Sequence, residues 1–170
     1  MGRASVKSNK TVYQLRREEL GLSREQASEL LGGITADHLE KIESGKISIP
    51  DPEDIFIMAE KYKDPNLYNY YCANQCPIGR HYVPEIKIND LTQVVLDMLD
   101  SLNSIEADKN RLIQITHDGA ITPDEIHDFV LIQKELERIS LAVDGMRLWS
   151  ERMLSAGLID QNIYDKFYNK

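Results

Sequence analysis

Apolar positions in residues 10–63 recur in short groups that are separated by capping residues and glycines, which predicts a series of short amphipathic helices. The first helix is expected to bury Val12, Leu15 and Leu20. Ser23 opens the second helix, and Gln26 three residues later completes a capping box, in which each side chain satisfies the other residue's free backbone N–H.

Glycines and caps divide the rest of this segment. Gly32 and Gly33 end the second helix, Thr35 caps a third, and Gly45 ends that one. Asp51 and Pro52 supply the cap and the first-turn proline of a fourth helix. The side chains expected to be buried in the third and fourth helices are Leu39, Ile42, Ile55, Phe56, Met58 and Ala59.

Residues 67–88 interrupt the helical pattern with Pro77, Gly79 and Pro84 and carry several tyrosines, so we expect an irregular linker. Cys72, Cys76 and His81 have zinc-binding chemistry, but a structural zinc site needs four ligands and no further cysteine exists. A redox role for the two thiols is a second alternative. We favour packing of the tyrosines and thiols against the preceding helices, with no metal bound.

A heptad pattern follows in residues 89–156 and predicts two long helices joined by a short turn near residues 117–121. A turn this short makes the two helices antiparallel. Thr122, Pro123 and Glu125 are expected to cap the second helix, and Gly157 to end it. The predicted seam consists of Leu91, Met98, Ile105 and Leu112 in the first helix, supported by Val94, Val95 and Leu102, and of Phe129, Ile132, Leu136, Ile139, Val143, Met146 and Met153 in the second.

Two helices alone offer little core, so we expect a homodimer through residues 89–156 that forms a four-helix bundle. The alternative is that the hairpin packs on its own N-terminal helices. The expected domains are residues 1–66, a linker at 67–88 and the helical hairpin at 89–170. Alternation of β-branched residues is scarce, which indicates an all-α fold with no sheet.

Charge is unevenly distributed along the chain. The 170 residues carry a net charge of −8, yet residues 1–24 hold six basic and two acidic side chains, a local net of +4. A basic N-terminal segment in an otherwise acidic chain is typical of a protein that binds phosphate groups through one surface only. No apolar run of transmembrane length and no signal peptide appear, so we expect a cytoplasmic protein without a membrane partner.

The segment LRREELGLSREQASELLGGITADHLEKIESGKI (residues 15–47) resembles the Cro and phage-repressor (XRE) helix-turn-helix family. The resemblance implies a lambda-repressor-like domain that binds double-stranded DNA, here followed by a coiled-coil-like antiparallel hairpin. It also implies a structural ion pair between Arg17 and Glu43. The DNA-binding positions implied by the resemblance are Ser23, Arg24 and Lys46 at phosphates and Ala36, Asp37, His38 and Lys41 at bases.

The third helix departs from a typical base-reading helix because it offers Ala36, Asp37 and Glu40 where glutamine, asparagine or arginine is common. We therefore interpret the chain as a sequence-specific transcriptional regulator that binds DNA as a dimer. The alternative is a regulatory or adaptor protein that uses the helix-turn-helix fold to bind another protein. No nucleophile elbow, phosphate loop or HExxH motif occurs, so the sequence predicts no catalytic residue and no cofactor, and it leaves a small-molecule effector open.

Overall fold

The computed structural model describes residues 10–86, 91–117 and 119–168, and all regular secondary structure in these ranges is helical. Arg3 and Lys7 of the basic start, the boundary expected near residue 88 and Asp118 in the expected turn lie outside the described residues. The helices are α1 (Val12–Glu19), α2 (Arg24–Leu31), α3 (Ala36–Glu43), α4 (Pro52–Lys61), α5 (Asn66–Asn74), α6 (Gly79–Tyr82), α7 (Leu91–Thr116), α8 (Ile126–Ser155) and α9 (Gln161–Tyr168).

The predicted caps of the short helices are confirmed. Ser23 and Gln26 form a capping box at the start of α2, and Gly32 ends that helix in the left-handed conformation, with φ 72°. The Thr35 side chain accepts a hydrogen bond from the His38 N–H at the start of α3. Asp51 caps α4 in the same way, with Pro52 in the first turn.

The chain divides into two compact units, Met1–Glu85 with Glu151–Lys170, and Ile86–Ser150. These units differ from the domains expected from the sequence, since the end of α8 and α9 fall within the first unit. In that unit the Tyr68 hydroxyl donates a hydrogen bond to the Glu151 carboxylate.

The core of the first unit is formed by side chains from α1 to α5. Leu39, Ile42, Ile55, Met58 and Ala59 are buried in it, as predicted. Among the residues that the structure describes, this core contains Tyr13, Ala27, Leu31, Ile34, Leu39, Ile42, Ile55, Met58, Ala59, Tyr62, Leu67 and Tyr71.

Three apolar side chains expected in this core are exposed instead. Leu15 is 45% exposed, Leu20 40% and Phe56 53%. The buried face of α1 consists of Tyr13, Gln14 and Arg17. The polar members can be buried because they have partners: the Gln14 amide donates to Glu18 over 2.8 Å, and Arg17 is ion-paired.

The segment predicted as an irregular linker contains two helices, α5 and α6. Leu67 and Tyr71 of α5 are buried in the core, and Tyr13 of α1 donates a hydrogen bond of 2.6 Å to the Gln75 side chain. The Cys72 and Cys76 thiols pack against the same core, and burial raises the pKa of Cys72. Packing of Tyr68, Tyr70, Tyr71 and the two thiols is thus confirmed, but it occurs in helices, and Tyr82 is 81% exposed, contrary to the expectation.

Gly79 of α6 lies so close to α5 that a Cβ atom there would stand 2.2 Å from the Cys72 carbonyl oxygen. The glycine is required by this contact rather than by a positive φ. Gly79, which in the sequence indicated an interruption of the helical pattern, is therefore a site of close packing between α5 and α6.

In the second unit, the buried residues of α7 and α8 agree with the predicted pattern at Val94 and Ile132 but differ from it elsewhere. Val94, Ser101 and Ile115 are buried in the part of α7 whose side chains are described, whereas the predicted Leu91 is 38% exposed. In α8, Ile132 and Ala142 are buried, while the predicted Leu136 and Val143 are 48% and 52% exposed. The predicted members Met98, Ile105, Leu112, Ile139 and Met146 are half-buried, so the predicted seam is confirmed in part, whereas Leu91, Leu136 and Val143 lie outside the buried residues.

The two ends of α8 lie close to the predicted capping residues, with one difference at its start. Gly157, with φ 71°, follows the end of α8 at Ser155. Glu125 accepts hydrogen bonds from the Thr122 N–H and hydroxyl, but α8 begins only at Ile126. A tight turn closed by the Glu125 N–H on the Thr122 carbonyl, over 3.0 Å, precedes the helix.

Two ion pairs between described side chains join α7 to α8. Arg111 contacts Asp128 over 2.7 Å, and Asp100 contacts Arg138 over 2.8 Å. The residue that comes later in α7 thus pairs with the residue that comes earlier in α8. Among the described helices, none combines the length and hydropathy that crossing a bilayer requires.

Candidate nucleic-acid interface

Helices α2 and α3 are joined by a short turn that is stabilised by a left-handed glycine and a side-chain hydrogen bond. Gly32 supplies the left-handed residue that ends α2, and the Ser28 hydroxyl donates a 2.7 Å hydrogen bond to the Ile34 carbonyl within the turn. Ala27 and Leu39 are fully buried in the common core of the two helices. The small Ala27 side chain lets α3 lie close to α2, and the opposite face of α3 stays exposed.

A buried charge network holds α1 to the end of α3. The Arg17 guanidinium donates to both carboxylate oxygens of Glu43, over 2.5 and 2.9 Å, and to the Leu22 carbonyl over 2.6 Å. The Glu43 side chain is fully buried, and Arg24 at the start of α2 donates to it over 2.8 Å. One carboxylate therefore fixes the relative positions of α1, α2 and α3.

The exposed cations around α3 are each paired with a carboxylate. Lys41 lies 2.6 Å from Asp37, both on α3. Lys46, just past α3, lies 2.9 Å from Glu40. The hydrogen bonds from these lysines lower the pKa of Asp37 and Glu40, so both carboxylates are charged near neutral pH. Sequence reasoning places both lysines on this surface but does not identify their partners.

The remaining expected contact residues occupy different settings. The Ser23 hydroxyl is engaged by the Gln26 N–H in the capping box, and Ala36 is the half-exposed first residue of α3. His38 differs from the expectation of a side chain open to DNA, because its Nε2 lies 2.7 Å from an Asp54 oxygen on α4. Asp54 is not singled out by the sequence, where nothing marks it as a partner of His38.

Residues 13–63 match a protein-family model described as helix-turn-helix. Residues 13–63 are a helix-turn-helix domain. The match runs from α1 through α4 and includes the buried charge network and the turn between α2 and α3. A helix-turn-helix domain of this kind indicates a DNA-binding regulator of transcription.

Comparison with curated proteins finds no match, and comparison with solved structures finds none either. Residues 64–170 also lie outside the family match. The helix-turn-helix domain is therefore the basis for the functional interpretation, and the rest of the chain is interpreted from its own side chains. Within the described ranges, no three His, Cys, Asp or Glu residues are grouped so that they could hold a metal ion.

Proposed function

We propose that the protein is a sequence-specific, cytoplasmic DNA-binding regulator of transcription that binds a palindromic site as a homodimer. The observation that carries this proposal is the helix-turn-helix domain at residues 13–63, with the outer face of α3 exposed. In this geometry α3 enters the major groove while the start of α2 approaches the backbone.

We assign the contacts with DNA phosphates to residues at the edges of the α2–α3 pair. Ser23 and Arg24 stand at the N-terminus of α2, where the helix dipole also favours an anion, and Lys46 follows the end of α3. Base contacts fall to Ala36, Asp37 and Lys41 on α3 itself. We assign His38 to holding α3 against α4 rather than to a base, because its ring contacts Asp54.

The proposed dimer interface is an apolar face on the second unit. The order of the two α7–α8 ion pairs supports an antiparallel hairpin. Heptad geometry then places the residues one position after each buried or half-buried row on the same side of the hairpin. The exposed members of this apolar face, all between 44% and 56% exposed, are Leu99, Leu102, Ile113, Leu136 and Val143.

A second copy of the chain is the occupant that best suits this apolar face. The same rows of α7 also contain Glu106 and Lys109, which neutralise each other over 3.3 Å, while the Asp100–Arg138 pair lies at the other side in the antiparallel arrangement. Pairing two such faces builds a four-helix bundle, which supplies the core that two helices lack. A two-fold symmetric dimer also presents two copies of α3, as successive major grooves about 34 Å apart require.

One observation favours a second candidate function, which is binding to another protein through α3. The exposed lysines on and after α3 are neutralised by Asp37 and Glu40, so the surface has little net positive charge. Weak attraction to phosphate follows from such a surface. A protein partner with a mixed-charge surface would suit it.

The test is recovery of sheared genomic DNA fragments by the purified full-length protein across a salt series. A DNA-binding regulator enriches a few inverted-repeat fragments, and its affinity falls steeply as salt rises. Lys46→Ala should weaken binding to every enriched fragment, whereas Lys134→Ala, which removes an exposed lysine on α8, should not. Absence of enrichment even at low salt would contradict the proposal and favour the protein-binding alternative.

A further inference from the structure

The side chains of Asp37 and Lys41 form a hydrogen-bond acceptor and donor side by side on the outer face of α3. They are one helical turn apart, and the Lys41 Nζ lies 2.6 Å from an Asp37 oxygen. Their side chains are 76% and 45% exposed, respectively, so both can reach a ligand without a change in the core. The hydrogen bond from Lys41 keeps the pKa of Asp37 low, and the carboxylate is ionised.

A G·C base pair presents the complementary arrangement in the major groove. Guanine offers the acceptors N7 and O6, and cytosine offers the N4 amino group as donor. O6 and N4 are partners in the base pair, so they lie about 2.9 Å apart. This O6–N4 distance is close to the 2.6 Å between the Lys41 Nζ and the Asp37 carboxylate oxygen. The Lys41 ammonium can therefore face guanine O6 while the Asp37 carboxylate faces the cytosine N4 amino group.

An A·T pair is a poorer match to the same two side chains. Adenine N6 is a donor, but the adjacent N7 acceptor repels a carboxylate, and thymine O4 is a single acceptor next to a methyl group. Guanine gives an ammonium two adjacent acceptors, and cytosine has no acceptor beside its amino group at the groove edge. Both side chains therefore favour the same base pair.

We propose that the Asp37–Lys41 pair reads one G·C base pair in each half-site as a unit, with Lys41 donating to guanine O6 and N7 and Asp37 accepting from cytosine N4. This assignment rests on the proposed DNA-binding function and adds the base pair that α3 selects. It also explains an acidic residue on a base-reading helix: the carboxylate stays paired in free protein and on DNA.

The test is selection of binding sites from randomised double-stranded DNA by the full-length protein and three variants at one fixed salt concentration. The unmodified protein should select an inverted repeat in which one position of each half-site is always G·C. Lys41→Ala should lose the preference for G·C at that position. Asp37→Asn should move the preference at that position toward adenine, because asparagine pairs with adenine N6 and N7, and discrimination should change by about 5- to 100-fold.

Glu40→Gln is the matched control, since it removes the same charge from the same helix but at the residue paired with Lys46. It should tighten binding to all sequences without changing the preferred base. All exchanged side chains are exposed or half-exposed, and circular dichroism should show folded proteins.

The outcomes separate the two proposals. If the unmodified protein selects an inverted repeat and Asp37→Asn leaves every position unchanged, the G·C assignment is overturned while the DNA-binding function stands. The G·C assignment is overturned in the same way if Glu40→Gln produces the shift expected of Asp37→Asn. If the unmodified protein selects no sequence, both proposals fail.

Discussion

At the residue scale, Glu43 has the most demanding environment in the helix-turn-helix domain. Its side chain is fully buried, and it satisfies its charge with Arg17 and Arg24 from two other helices. A buried ion pair gains little over a well-packed apolar pair, because desolvation offsets the Coulomb attraction. Removing one partner alone is costly, since it leaves a charge that is buried and uncompensated.

We therefore expect Glu43→Ala to lower the free energy of unfolding by about 3–5 kcal/mol, because Arg17 remains buried without its carboxylate. The double variant Arg17→Met, Glu43→Leu should recover most of that loss. Urea denaturation followed by circular dichroism measures both. Equal losses in the single and double variants would show that the charges themselves, and not their compensation, stabilise the domain.

The buried tyrosines Tyr13 and Tyr62 provide a second residue-scale prediction, because only one of them has a hydroxyl partner among the described residues. Tyr13 donates to Gln75, whereas the Tyr62 hydroxyl is buried with no partner in the described ranges. Tyr13→Phe should cost about 1 kcal/mol of unfolding free energy, and Tyr62→Phe should be neutral or stabilising. Denaturation at neutral pH measures the difference, and an equal cost for both would contradict the assignment.

The same tyrosines should make stability decline in alkali. Burial raises the pKa of Tyr13 and of Tyr62 well above the ordinary value near 10. The stabilisation is complete below about pH 10, where tyrosine in the unfolded chain is still protonated, and it is lost as pH rises further. Each tyrosine should then contribute a decrease of up to about 1.4 kcal/mol per pH unit. Denaturation between pH 9 and about 11.5 should show a shallower decline in Tyr62→Phe.

At the element scale, the turn between α2 and α3 depends on one of its two glycines. Gly32 has φ 72°, and Gly33 has no positive φ; neither would bring a Cβ within 4 Å of another group. Gly32→Ala should cost about 1 kcal/mol through backbone strain, whereas Gly33→Ala should be neutral or stabilise by about 0.4–1 kcal/mol. Thermal unfolding of the two variants is the measurement. A larger loss in Gly33→Ala would show that the turn uses the second glycine.

The short helices could be predicted from sequence because their signals are local. The Ser23–Gln26 capping box and the Asp51–Pro52 start involve side chains within three residues of the backbone groups that they satisfy. The buried face of α1 depends on distant partners instead. Arg17 can be buried because it pairs with Glu43, 26 residues further along the chain; no local pattern indicates this contact, which is predicted only from the family resemblance.

The long helices show a related limit. A period of seven residues is visible in the sequence, but several adjacent rows in α8 are apolar, so the pattern alone does not decide which row faces α7. The structure buries the predicted Ile132 and also the small Ala142, which belongs to a different row, and it leaves Leu136 and Val143 exposed. In the site itself, the lysines can be predicted from the family resemblance, but their pairing with Asp37 and Glu40 requires coordinates.

At the scale of the whole molecule, the proposed DNA-binding surface and the proposed dimer face lie in different units. The helix-turn-helix domain carries the exposed ion pairs around α3, and the second unit carries the exposed leucines and valine of the apolar face. Exposed apolar patches larger than a few hundred Å² mark interaction sites in water-soluble proteins. A dimer formed through that face would couple two weak DNA contacts into one binding event, which raises affinity without any new contact to DNA.

The dimer can be disrupted at this face without unfolding the helices. Leu136→Glu and Val143→Glu place a carboxylate on the apolar face, where pairing would bury an uncompensated charge. Each variant should be monomeric at concentrations where the unmodified protein is a dimer, and should bind an inverted repeat at least about 100-fold more weakly. Both side chains are half exposed in one chain, so circular dichroism should show unchanged helix content.

Lys134→Glu is the control, because it introduces glutamate at an exposed position of α8 outside the apolar face. It should leave the oligomeric state unchanged, even though it alters the charge more than either test variant does. Analytical ultracentrifugation measures the state of all three variants, and binding to the intact repeat and to a single half-site measures the coupling. A dimer that survives both Leu136→Glu and Val143→Glu would mean that another surface joins the subunits. Loss of the dimer in Lys134→Glu as well would point to overall charge as the cause, because the apolar face is intact in that variant.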